Sequence, residues 1–440
     1  MFYISKDTEL TSAHILKFID GFKMQHLPRL SKLDRYYKNK NDIKNRVFTD
    51  LTKPNNKMSH SWGNYITDTT TAFFLGQPVS YSGEDEDIKL LDYIFEQNDE
   101  QDLNLQIATD QSIFGVAYEL GYLDELAEIR FAKLSPLTTI PIFDDTINSN
   151  LLYCIRFMEI EDILTNTKTM HVWLYDDKSS KYYKQTDNAT LLFVSEEKHN
   201  FDIVPVSIYL NNDNMIGDFE NQIDLIDMYD RLESDTANAF DYYNDCYLVF
   251  TGATVPDDIT EMKENRILEV PEGGDVKFLI KNGDNIEQEN VKNRVVADIH
   301  KFSKTPNMAD DNFANNVSGV AMKYKLLGLE HICSIKERKF KRGLQNRLWL
   351  ISNVKEMKKG TDLQDVKITF KRNLPNNETE IAEMANNLRG LVSTETLISQ
   401  LPFIENVKDE LEKLEAEKEI NSYELPFTDI EEDGENIGVN

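Results

Sequence analysis

Several common sources of chemistry are missing from this chain. It has three cysteines in 440 residues, Cys154, Cys246 and Cys333, far apart and odd in number. They make neither a disulfide framework nor a Cys-x-x-Cys ligand pair, and such usage fits a reducing compartment. No run of about 18 apolar residues exists, so no membrane span is expected. Met1 to Asp7 has no apolar stretch behind a basic start and does not read as a signal peptide. There is no Gly-x-x-x-x-Gly-Lys-Ser/Thr loop and no Gly-x-Gly-x-x-Gly, hence no nucleotide cradle. The histidines (His14, His26, His60, His171, His199, His300, His331) never fall at His-x-x-x-His spacing, and metal sites need clustered donors. Ser61 follows His60, but no Gly-x-Ser-x-Gly elbow frames it. The acidic groups Glu84-Asp85-Glu86-Asp87 and Asp144-Asp145 have a metal-binding or carboxylate-pair reading. Each lies beside a turn signal, Gly83 or Pro141, which favours solvated loops. No catalytic, cofactor-binding or metal residue is therefore assigned. Basic charge is also scarce: 48 Lys and Arg against 77 Asp and Glu give −29. A sequence-specific duplex binder shows the reverse.

What is present is a long acid-striped helix followed by a small β insert. At 100° per residue Leu225, Met228, Tyr229, Leu232, Ala239, Phe240, Tyr243, Cys246 and Tyr247 fall within roughly 120°. Asp224, Asp227, Asp230, Asp235, Asp241 and Asp245 occupy a separate arc of roughly 140°. A solvated surface face explains most such stripes. Against it, Arg231 supplies little basic compensation, so ion pairing along the helix is not the stripe's purpose. Tyr247 to Phe250, Arg266 to Val270 and Val276 to Leu279 then alternate between Gly and Pro breaks, which predicts a small β element. Helical spacing resumes at Val291, Val295, Ile299 and Phe302 and stops before Pro306. Two helices thus flank a β insert and could run antiparallel.

Elsewhere the texture is mixed. Thr8 to Lys38 is helical with a break at Pro28, and Met58 to Leu75 is helical up to Gly76-Gln77-Pro78. Ile88 to Phe95 and Leu103 to Phe114 read as helices. Val116 to Tyr209 alternates in strand fashion at 129–132, 153–157, 170–175 and 191–194. Val320 to Ile351 is a long helix with Lys323, Lys325, Lys336, Arg338, Lys339, Lys341, Arg342 and Arg347 against Glu330 and Glu337. Pairing with acids elsewhere is the leading reading of these bases; transient phosphate contact is the other. Asp365 to Arg372 reads as a strand. Glu378 to Leu391 and Thr394 to Glu419 read as a helical hairpin, with Ile404, Val407, Leu411 and Leu414 near a heptad seam. From Asn421 the acids Asp429, Glu431, Glu432, Asp433 and Glu435 predict a disordered tail. The fold class is α+β, in two to four lobes.

Short motifs add a family resemblance. Leu33-Asp34-Arg35-Tyr36-Tyr37 precedes Lys53-Pro54-Asn55-Asn56-Lys57, and Phe74-Leu75-Gly76-Gln77-Pro78-Val79-Ser80-Tyr81 follows. Further on stand Asp110, Gly115 to Glu119, Ser135-Pro136, Pro205-Val206, Asn211-Asn212, Asp227-Met228-Tyr229-Asp230, Ser234 to Asn238 and Ser318 to Lys323. In this order and spacing the chain resembles the portal proteins of tailed bacteriophages, of the long-tailed Gram-positive phage type. The resemblance implies a ring, usually of about twelve subunits, at the capsid vertex, through which DNA is packaged and ejected. It implies an α/β wing (1–220 and 319–377), a two-helix stem (221–247 and 286–304), a small β-containing clip (248–285), a tunnel loop (305–318) and a short helical crown (378–420). The tail would be 421–440.

Under the same resemblance Asp224, Asp227, Asp241 and Asp245 would line the channel. Asp310, Asp311, Asn312, Phe313, Asn315 and Asn316 would form the tunnel loop; taken alone, that segment is an ordinary Asn/Asp-rich connector. Thr254, Asp257, Asp258, Glu261 and Lys263 would be clip positions that dock partners. The expected partners are further copies of this chain, the terminase large subunit, a head–tail adaptor, the major capsid and scaffolding proteins, and double-stranded DNA as cargo. An acidic wall would repel phosphate and discourage sticking; solubility explains the same charge equally well. A different phage ring, an adaptor or connector, and a metal-dependent nuclease are the competing functions.

Overall fold

The computed structural model describes residues 1–50, 53–185, 190–244, 247–251, 275–279, 285–308, 319–354, 363–372, 378–399, 401, 404 and 407–422. These make a mixed α and β structure in two compact units, Met1–Asn373 and Leu374–Asn440.

In the first unit, helices α1 (Ser12–Gln25) and α2 (Leu27–Tyr37) meet at His26, where Pro28 opens the second helix. Proline tolerates a first turn because its missing N–H has no intrahelical partner there. Both helices pack on a six-stranded sheet. Its order is β1 (Phe2–Ile4), β5 (Thr139–Asp144), β6 (Leu151–Asp162), β7 (Thr167–Tyr175), β8 (Ser179–Gln185) and β9 (Leu192–Lys198). β1 runs parallel to β5, and the remaining pairs are antiparallel. Ile15, Ile19 and Phe22 of α1 share one core with Ile140, Ile142, Ile155 and Val172 of the sheet.

A second sheet orders β10 (Val206–Leu210), β3 (Val116–Leu123) and β4 (Ile129–Leu134), all antiparallel. Helices α3 (Trp62–Leu75), α4 (Asp85–Glu96) and α5 (Glu100–Phe114) precede it, and β2 (Ser80–Ser82) pairs with β13 (Lys367–Thr369). Met58 to Ser61 thus lie outside α3, which starts only at Trp62. The solvated-loop reading of the two acidic groups holds for Asp145, which is exposed in the bend after β5, but not for Asp85, Glu86, Asp87 or Asp144. Asp85, Glu86 and Asp87 form the first turn of α4, where carboxylates oppose the helix dipole. Asp144 ends β5, is buried, and accepts bonds from Thr146 and Asn150.

Helix α6 (Ile223–Asn244) leads into β11 (Tyr247–Thr251), which pairs antiparallel with β12 (Asp275–Leu279); α7 (Asn285–Ser303) follows. The chain reverses at this ribbon, so α7 returns alongside α6. Lys292 of α7 lies 3.3 Å from Glu233 of α6. Ile226, Val295 and Ile299 join the same core as α1, which roots both helices in the first unit. The 35-residue helix α8 (Gly319–Asn353) packs over β10, with Gly343 against the Tyr209 ring. A Cβ there would stand 2.4 Å from that ring, so the approach requires glycine.

The second unit holds α9 (Glu378–Leu388), α10 (Thr394–Ser399) and α11 (Val407–Ser422). Gly390 turns the chain after α9 at φ +85, the left-handed region glycine enters freely. The expected helix over 394–419 is therefore two helices, and Ile404 precedes the second rather than seating a heptad. Residues 401 and 404 are not helical, and the sequence between them includes Pro402, a residue type that interrupts helical bonding. α11 also runs through Asn421 and Ser422, two positions into the predicted tail; residues 423–440 lie outside the described residues.

Candidate functional site

The acid stripe of α6 is not one solvated face. Asp230 is fully buried and accepts three bonds: from Asn41 Nδ2 at 2.6 Å, the His60 backbone N–H at 2.9 Å, and His60 Nδ1 at 2.8 Å. Asp227 is half-buried and accepts the Tyr36 hydroxyl at 2.5 Å, with Lys32 Nζ at 4.0 Å. Burial pushes its carboxyl above the ordinary value, against the Tyr36 bond and the Lys32 charge. Asp235 pairs with Arg46 at 2.7 Å, and Asp241 accepts from Asn56 Nδ2 at 2.5 Å. Ser234 receives the Met58 N–H, and Asn238 the Asn56 N–H. The segment from Tyr36 to His60 is thus laced to one side of α6 by its acids. Of the four expected channel positions, Asp224 and Asp241 are exposed, Asp227 is turned partly inward, and Asp245 lies outside the described residues.

The apolar arc is divided too. Leu225, Tyr229 and Leu232 pack on the core, while Ile226, not assigned to the arc, is buried completely. Farther along, Phe240 is exposed beside Asp241. Tyr229 stacks edge-on with His60 and Trp62, and Trp62 with His300 of α7. This aromatic group braces the roots of α6 and α7 against α3.

The link from sheet to helix is a second polar site, and composition alone does not reveal it. Asp218 is buried in the turn before α6. Its Oδ2 takes Lys336 Nζ at 2.6 Å and Ser112 Oγ at 2.5 Å, and its Oδ1 takes Asn211 Nδ2 at 2.8 Å. Gly217 permits the approach, since a Cβ there would meet the Ile113 carbonyl at 2.3 Å. Gly115 does the same at φ +80, facing the Met215 carbonyl. Arg29 clamps Glu220 with two bonds of 2.6 Å and the Met215 carbonyl at 2.7 Å. The glycines and the Asn211-Asn212 pair were the available signal in the sequence; the lysine that closes the site comes from 118 residues away.

The bases of α8 divide the same way. Arg347 is fully buried and forks Glu119 at 2.6 and 3.0 Å, while reaching Glu100 at 2.8 Å and Asn104 at 2.9 Å. Tyr209 donates to Glu119 and Tyr81 to Glu100. Lys336 is buried on Asp218, and Lys339 pairs with Asp213. Arg372 crosses to Glu330 and Glu337. Cys154 and Cys333 are buried free thiols, and burial pushes Cys333 up to about 12. Among the described residues no three His, Cys, Asp or Glu side chains group as a metal site, and no helix is long and apolar enough to cross a membrane. The expected clip positions (Thr254, Asp257, Asp258, Glu261, Lys263) and tunnel-loop positions (Asp310, Asp311, Asn312, Phe313, Asn315, Asn316) lie outside the described residues.

Residues 16–423 match the family described as "Phage portal protein, SPP1 Gp6-like". The chain belongs to this portal family. It is 25% identical to the portal protein of Bacillus phage SPP1 across 97% of this chain and 92% of that protein. It is 24% identical to the portal protein of Clostridium phage phiCD119 across 87% of this chain and 91% of that one. The family is one of phage structural proteins. In this portal subunit the bonded acids do the work of holding helices in place.

Proposed function

We propose that copies of this chain close into a ring of about twelve subunits around a channel at the capsid vertex, through which DNA enters and leaves. The observation that carries this reading is the portal-family match over residues 16–423. Physical support comes from α6 and α7, an antiparallel pair rooted in the core at one end and joined through the β11–β12 ribbon at the other. In this reading the pair is the stem, the ribbon belongs to the clip, Met1 to Glu220 with α8 is the wing, and α9 to α11 are the crown.

The clip, with Thr254, Asp257, Asp258, Glu261 and Lys263, docks the terminase large subunit during packaging and the head–tail adaptor afterwards. Capsid and scaffolding proteins meet the wing and crown. The segment 305–318 narrows the channel with Asp310, Asp311, Asn312, Phe313, Asn315 and Asn316. Asp224 and Asp241 present negative charge to the passing DNA, with Asp245 beyond them, and phosphate repulsion keeps the wall from gripping. Asp227 sits at the margin, shared with Tyr36. Nucleotide hydrolysis is left to a partner, because the chain has no phosphate-cradling loop.

The test is the pair Asp224→Lys and Asp241→Lys in the full chain. Rings form at wild-type yield, while DNA packaging or ejection through them falls. Normal packaging by these variants contradicts the repelling wall.

A further inference from the structure

α8 carries a second pattern, on the side away from its buried ion pairs. Tyr324, Leu327, Ile335 and Trp349 are 74%, 46%, 50% and 44% exposed, unusual for four large apolar side chains on one helix. Arg338 and Arg342 stand exposed among them. Neither arginine forms an ion pair among the described residues, whereas Lys336, Lys339 and Arg347 do. An aromatic and arginine stripe of this kind has the composition of a protein interface.

A complementary face exists on the same chain. α4 exposes Asp92, Tyr93 and Glu96, with Lys89 among them, and α5, which follows after a short turn, exposes Asp102 and Leu105. The Arg347 site fixes how the two faces are directed. Arg347 bridges α8 to Glu100 and Asn104 of α5. Arg338, Arg342 and Trp349 lie roughly 140–180° round α8 from Arg347, and Asp102 lies roughly 160° round α5 from Glu100. The basic stripe and the Asp102 side of α5 therefore look away from each other, with a buried bridge between them.

We propose that the basic, aromatic stripe of α8 in one subunit docks on the acidic face of α4 and α5 in the next copy. This rests on the ring reading and deepens it by naming the surfaces that close the ring. A head-to-tail ring needs two different complementary faces on each subunit, and these two satisfy that need in charge and in apolar content. The arginines set register and direction, while Tyr324, Ile335 and Trp349 against Tyr93 and Leu105 supply the buried apolar area.

Two full-length variants test it, each read by native mass spectrometry and negative-stain microscopy. Arg338→Glu with Arg342→Glu places acid against acid; Asp92→Lys, Glu96→Lys and Asp102→Lys places base against base. Each alone loses the ring fraction by roughly tenfold or more, with an unchanged thermal melt because every altered side chain is exposed. Mixing the two variants restores rings of alternating subunits, since both junctions are then complementary. A folding defect gives no such rescue. If wild-type protein forms no rings, the ring reading itself is wrong. Wild-type rings together with normal rings from either variant overturn the surface assignment. Loss in both without rescue on mixing overturns the pairing of these two faces.

Discussion

Helices α6 and α8 carry charge excesses of opposite sign, one acidic and one basic, and they solve the same problem. In α6 the acids nearest the core, Asp230 and Asp227, are consumed by Asn41, His60 and Tyr36. In α8 the innermost bases, Lys336 and Arg347, are consumed by Asp218, Glu100 and Glu119. Facing outward are Asp224 and Asp241 on one helix, the latter also holding Asn56, and Lys323, Lys325, Arg338 and Arg342 on the other. A one-sign run therefore has two jobs, anchoring on its inner side and recognition on its outer side, and net charge does not separate them. What does separate them is burial, because a charge without water must be paired.

The comparison breaks first at Arg347. Arg347→Met leaves Glu100 and Glu119 buried without their cation, and loss of about 3–5 kcal/mol is expected, read as a lower urea midpoint. Little change would mean that the α8 bases are ornamental. On α6 the counterpart is Asp230→Ala, which strips the bonds from Asn41, the His60 backbone N–H and His60 Nδ1. A loss of about 2 kcal/mol follows from hydrogen bonds to a charged group.

A smaller effect sharpens the contrast within α6. Because burial raises the Asp227 carboxyl above its ordinary 3.8, the folded chain holds that proton more tightly than the unfolded one. Its contribution to stability then grows as pH falls through the raised value and is complete below about 3.8. The stability of wild type minus that of Asp227→Asn should rise on acidification from pH 7, measured by denaturant titration at each pH. A flat or falling difference contradicts the inward placement of Asp227. Asp224→Asn is the smallest: the unfolding midpoint stays at the wild-type value, and a clear drop would mean that Asp224 also anchors.

Local rules carried much of the fold. Pro28 marked the junction of α1 and α2, and Pro306 the end of α7, because a proline constrains its own φ and the residue before it. The period-2 runs at 153–157 and 170–175 became neighbouring strands β6 and β7. Pro402 was passed over, and the predicted continuous helix across it proved to be two. The acid stripe was legible as a stripe but not as an anchor. Its partners, Asn41 and His60, lie 189 and 170 residues away from Asp230, and no local window contains both ends of such a bond. Asp218 was invisible for the same reason, being completed by Lys336 on a helix in the far half of the chain.

Electron microscopy of the purified 440-residue chain tests ring closure most directly. Annular particles with an axial hole and a subunit count near twelve are the expected result. Compact single subunits at every concentration and salt condition would contradict it.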